Sequence, residues 1–166
     1  MPQPNRDPIF VKDVRSGFVS LTQDNDIDHF MGSGKNSRPL NTVDIPSLVV
    51  GGSYGTRIDL ITIKYMFDTA TTDTIDSVLR FFLRDNNTAD QPYCLIKEIG
   101  LPGKSTIPTG GSQISDITLK GIDELPVTYL ISGWGLHIIG GVAPDDNLGT
   151  GEGVAGFDVS WFGGDY

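Results

Sequence analysis

The sequence predicts an all-β fold, an antiparallel β-sandwich, and three observations predict it. Composition is the first: 21 Gly and 10 Pro in 166 residues supply many turns and leave few helix formers, which suits short strands joined by tight connections. Period is the second. Beyond residue 40 apolar side chains recur at every second position in roughly eight short runs, the signature of half-buried strands. Spacing is the third: Gly, Pro, Asn and Asp separate those runs at short, regular intervals, as in a sandwich or barrel. The nearest approach to a helix is Thr74–Arg84, where the Phe81-Phe82 pair and the alternation favour a strand.

The elements follow in order. Residues 1–8 carry three prolines and are expected to form an extended arm. Ile9–Leu21 is strand-like, with a break expected near Gly17. The segment from Gln23 to Pro39, QDNDIDHFMGSGKNSRP, is polar and without period, and is expected to be a long loop or an arm that orders against a partner. The chain is thus divided into an arm and polar segment over 1–40 and a sandwich domain over 41–166. Val43–Val50 is a short strand with Pro46 inside it, hence an edge or a bend. GGSYG (Gly51–Gly55) is a hairpin turn. Arg57–Phe67 should place Ile61, Ile63, Tyr65 and Phe67 on one face and Ile58, Leu60 and Met66 on the other. Val78–Arg84 should bury Leu79, Phe81 and Leu83 and leave Arg80 and Arg84 on a solvated or interfacial face. Tyr93–Leu101, Ile114–Ile122, Val127–Ile131, Trp134–Val142 and Val154–Phe162 complete the set, the last with Phe157, Val159 and Trp161 inward. Winding these strands into one antiparallel sandwich points to the jelly-roll type.

At this length one domain is the natural count, and it can bury a core without staples. The single cysteine, Cys94, excludes an intrachain disulfide and a four-cysteine zinc site. MPQPNRDPIF lacks the apolar run of a secretory signal. No stretch approaches ~18 apolar residues, so no membrane helix is expected. The expectation is a soluble chain made in a cytosol, with no membrane partner. The net charge of -9 argues against a nucleic-acid partner, which requires a basic footprint.

Several short motifs resemble chemistry without meeting its requirements. GGSYG fits G-x-S-x-G with Ser53 as nucleophile, but that elbow needs a helix after it, and a strand pattern follows. GEGVAG (Gly151–Gly156) fits G-x-G-x-x-G, yet it too runs into a strand rather than a phosphate-binding helix. GSGKNS (Gly32–Ser37) fails as a phosphate loop, with His29 and Asn36 where glycine and a hydroxyl are needed. DNDID (Asp24–Asp28) alternates carboxylates as a calcium loop does, but His29 and Lys35 occupy the places of the EF-hand glycine and glutamate. Asp145, Asp146 and Glu152 form a weaker acidic group. His29 and His137 are each isolated, and His137, within a strand, is expected to be a hydrogen-bonded structural residue. Trp134 and Trp161 are expected in the core. No catalytic residue, cofactor or metal site is expected, and the chain is not expected to be an enzyme.

The pieces DPIF (Asp7–Phe10), GTRID (Gly55–Asp59), TTDTIDSVLRFFLRD (Thr71–Asp85), CLIKEIGLP (Cys94–Pro102) and GGDY (Gly163–Tyr166) occur in this order. Together they resemble a family of small proteins encoded in tailed-bacteriophage genomes, the capsid decoration or cement proteins. This chain has TDTIDS where the family carries a small turn, and it adds the DNDIDHFMGSGKNSRP and DDNLGTGEG segments. The resemblance implies a jelly-roll virion protein on the outer surface of a phage head, made in the host bacterial cytoplasm. It implies the major capsid protein as partner and a homo-oligomer, a trimer, bridging neighbouring subunits. Pro8, Ile9, Phe10, Val11, Phe30 and Met31 are the candidate capsid or oligomer contacts. The alternative expectation is a tail or fibre module that recognises host surface glycans through loop aromatics and carboxylates.

Overall fold

The computed structural model describes residues 12–21, 45–66, 77–88, 91–101, 117–140 and 156–166. Nine strands and one helical turn lie among them: β1 (Asp13–Leu21), β2 (Ser47–Val50), β3 (Thr56–Met66), β4 (Ser77–Asp85), β5 (Cys94–Leu101), β6 (Ile117–Lys120), α1 (Gly121–Glu124), β7 (Tyr129–Leu130), β8 (Trp134–Gly140) and β9 (Gly156–Asp165). They form two sheets in which every pairing is antiparallel. One has the order β1-β9-β3-β6 with β7 also paired to β3, and the other has the order β2-β8-β4-β5. The fold is an all-β sandwich, as the composition and the period-2 runs predict.

The core lies between the sheets. Ile61, Ile63, Phe157, Val159 and Trp161 from the first meet Leu79, Phe81, Leu136 and Ile138 from the second, all buried. Such side chains each stabilise the fold by about 1.5–3 kcal/mol through loss of water contact. Trp134, expected in the core, only packs against its edge. A second cluster lies on the outer face of the four-stranded sheet, where Phe82 and Ile139 pack with Ile45 and Tyr93.

Three expectations need correction. Ile58 is buried in the same core as Ile61 and Ile63. A register shift between Ile58 and Leu60 against β9 adds a residue and turns the side-chain phase over, as a bulge does. A break at Gly17 is absent: β1 pairs with β9 over all of Asp13–Leu21, and Gly17 stands opposite Trp161. A Cβ there would lie 2.7 Å from the indole Nε1, so the glycine makes room for the ring. Finally, residue 41 does not divide arm from sandwich. β1 lies within the first 40 residues and is an integral strand, because its alternation buries Leu21 and half-buries Val19. Residues 1–11 and 22–40, to which the arm expectation otherwise refers, lie outside the described residues.

The outer face of β4 also differs from a simple solvated surface. Arg80 pairs with Glu98 at 2.5 Å, but Arg84 lies over the Tyr93 ring at 4.7 Å and donates to its hydroxyl at 2.8 Å. His137 is a structural residue in that layer: Nδ1 lies 2.9 Å from the Ile45 carbonyl, and the ring meets Tyr93 edge-on at 5.0 Å.

Candidate interaction surface

Two of the motifs that carry the resemblance meet at one end of the sandwich. GTRID opens β3 and GGDY closes β9, and their registers are Thr56↔Asp165, Arg57↔Gly164 and Ile58↔Gly163. Gly55, at φ 101°, lies in the left-handed region that favours glycine and turns the chain from β2 in one sheet to β3 in the other. GGSYG is therefore an arch between sheets, not a hairpin. Gly163 allows the close approach, because a Cβ there would lie 1.9 Å from the Arg57 carbonyl oxygen.

Asp165 joins three segments at this corner. It accepts from Arg15 Nη1 on β1 at 2.8 and 3.0 Å and from the hydroxyl of Thr56 on β3 at 2.5 Å. Thr56, fully buried, in turn accepts from the Gly52 N–H at 2.9 Å. Arg57 pairs with Asp59 at 2.8 Å; that hydrogen bond and charge raise the guanidinium pKa above its ordinary value. The motifs are thus explained as a clasp.

Three loops interlock at the same end. Gly51 N–H donates to the Trp134 carbonyl at 2.8 Å, Gly133 N–H to that of Gly51 at 3.2 Å, and Asn86 N–H to that of Gly133 at 3.0 Å. Between them opens a cleft of about 230 Å³ lined by Leu83, Tyr129, Leu130, Ile131 and Trp134. An apolar cavity of about 150 Å³ is enough for a benzene ring, so this one has room for a single aromatic or branched aliphatic side chain. Tyr129 donates its hydroxyl to the Tyr54 carbonyl at 2.9 Å and leans on Tyr166 at 5.6 Å between ring centres. Ile131, one of the lining residues, is 53% exposed, and Tyr54, joined to the cleft through its bond with Tyr129, is 77% exposed. Exposed apolar residues gathered round a cleft mark an interaction site more than scattered ones do.

The remaining sequence candidates are dispersed. Ser53 is exposed at the tip of the arch and is followed by a strand, so it lacks the helix that the nucleophile elbow requires. His137 Nε2 faces Asn86 Oδ1 at 3.3 Å. Cys94 is a free thiol on the surface. Among the described residues no three His, Cys, Asp or Glu side chains gather as a metal site would require, and no helix is long and apolar enough to cross a membrane. Pro8, Ile9, Phe10, Val11, Phe30 and Met31 lie outside the described residues, as do DNDID, GSGKNS, His29, Asp145, Asp146 and Glu152. The cleft was not legible in sequence, because Leu83, Leu130 and Trp134 belong to three strands whose register only the fold supplies.

Charge separates the framework from its connections. Of the chain's 12 basic and 21 acidic residues, 8 and 8 lie among the described residues. The other segments hold 4 and 13, hence the whole net charge of -9.

These features define a β-sandwich with a clasped, apolar-rimmed end. No protein-family model, no curated protein and no solved structure matches the chain.

Proposed function

We propose that this chain is a non-enzymatic virion structural protein that binds the outer surface of a tailed-phage head and stabilises it by bridging neighbouring capsid subunits. The observation that carries the reading is the junction of GTRID with GGDY, which gives two parts of the family resemblance a shared structural reason. Strand order supports it further. Leaving out the two-residue β7, the pairs are β1 with β9, β2 with β8, β3 with β6 and β4 with β5. A long antiparallel ribbon folded back on itself and rolled up would give such nested pairs, which supports the jelly-roll reading. Under this reading the major capsid protein is the partner, the chain acts as a trimer, and no cofactor or nucleic acid takes part.

The apolar cleft favours a protein anchor over the alternative glycan ligand, since a sugar needs convergent polar groups that Leu83, Tyr129, Leu130, Ile131 and Trp134 supply sparsely. Pro8–Val11, Phe30 and Met31 remain the proposed arm contacts; deleting residues 1–11, which spares β1, should weaken head binding. The test of bridging is to add the purified chain to heads that lack it and follow genome release on heating. A rise in the release temperature supports the proposal. An unchanged temperature, together with glycan-array binding, would replace it with the glycan reading.

A further inference from the structure

The outer face of the five-stranded sheet carries its own apolar patch. On β1 the inward positions are Leu21, Val19 and Gly17, so Val14, Ser16, Phe18 and Ser20 point outward. On β9 the inward Phe157, Val159 and Trp161 leave Ser160 and Phe162 outward. Ser16 stands opposite Phe162, which in turn stands opposite Leu60, while Phe18 and Thr62 flank Ser160. Phe18 is 73% exposed, Val14 72% and Phe162 47%. The patch therefore runs across β1, β9 and β3 with only small hydroxyl side chains between its apolar members. β1 is also an edge, pairing among the described residues with β9 alone. A long edge strand bearing exposed apolar side chains is normally covered in the assembled protein.

We propose that this face docks a second copy of the chain. Area is the first argument. At about 3.3 Å per residue and about 4.8 Å between strands, the 9, 10, 11 and 4 residues of β1, β9, β3 and β6 give a flat area of about 540 Å² per copy. Two such faces remove about 1,100 Å², past the roughly 1,000 Å² that a specific interface needs. Charge is the second. A chain of net charge -9 should repel its own kind, but the described framework balances 8 basic against 8 acidic residues, and this face carries both signs in Lys64, Lys120 and Asp158. Two copies can meet here without the like-charge penalty that the acidic segments would impose.

The inference goes beyond the trimer of the proposed function, since two like faces packed together close as a pair rather than a three-fold, and it is tested without heads. Sedimentation velocity of the full chain over a range of micromolar concentrations should show a species heavier than the 17.9 kDa single chain. Phe18→Ser and Phe162→Ser should each weaken that assembly by at least about tenfold. Ile96→Ser, on the other sheet, should leave it intact. An unchanged melting temperature in dilute Phe18→Ser, whose side chain lies outside the core, shows that the variant folds. A wild-type chain that stays at the single-chain mass throughout, or a Phe18→Ser variant that keeps the wild-type mass, overturns the inference. Loss of head binding in Phe18→Ser with a single-chain wild type also overturns it, giving the face to the shell while leaving the head reading intact.

Discussion

Asp165→Ala removes the carboxylate that ties β1, β3 and the β2–β3 arch together, and its cost can be worked from its partners. The Arg15 pair is exposed, with 42% of the arginine side chain and 22% of the aspartate side chain in contact with water. A pair of that kind contributes about 0.2–1 kcal/mol. The Thr56 hydroxyl is different, because Thr56 is fully buried and donates to Asp165 at 2.5 Å. Stranding a buried donor costs about 1–3 kcal/mol. The variant should therefore lose about 1–4 kcal/mol. For a chain of this size each kcal/mol lowers the melting temperature by about 2–4 °C, so a drop of about 2–16 °C is expected. Urea unfolding of Asp165→Ala beside Arg15→Ala separates the two contributions. The arginine variant alone should lose less than about 1 kcal/mol. Equal losses in the two variants would refute the assignment of the clasp to the buried Thr56–Asp165 bond.

Other changes probe the same framework. Gly163→Ala would place a Cβ 1.9 Å from the Arg57 carbonyl oxygen, so it should cost about 3 kcal/mol, the upper end of over-packing; a wild-type thermal melt would contradict this. Tyr93→Phe deletes the hydroxyl that accepts from the Ile45 N–H at 3.2 Å and from Arg84 at 2.8 Å. It should lower stability by about 1–3 kcal/mol in urea titration. Ser53→Ala should alter nothing: ester hydrolysis stays at background in both proteins, and a rate that falls in the variant would revive the hydrolase reading.

Fold class was legible because alternation survives in single strands. Leu79 and Phe81, or Phe157, Val159 and Trp161, announce a buried face without knowledge of any partner. What sequence could not supply was register. Ile58 changes face because of a bulge against β9, and Phe82 lies in a separate cluster with Tyr93; β4 and β5 shift register between Phe81 and Phe82. Only the first depends on a strand far along the chain; the second rests on the next strand, β5, and on Tyr93 just before it. The clasp was visible only as two short motifs, GTRID and GGDY. Nothing local says that Thr56 and Asp165, 109 positions apart, share a hydrogen bond. Gly17 misled for a related reason: its missing Cβ serves Trp161, not a turn.

The neutral strand framework and the acidic remainder of the chain suggest a division of labour. Under the proposed function the framework would supply the apolar surfaces for protein contact, at the clasped end and on the β1–β9–β3 face. The acidic remainder would then discourage contact with DNA and with anionic surfaces.

Attachment to a phage head is tested by co-sedimentation of the purified chain with heads that lack it. Saturable binding is expected, with a fixed copy number that is a multiple of three at each local symmetry site. Absence from the head pellet, with the chain recovered on tails or host cells instead, would contradict it.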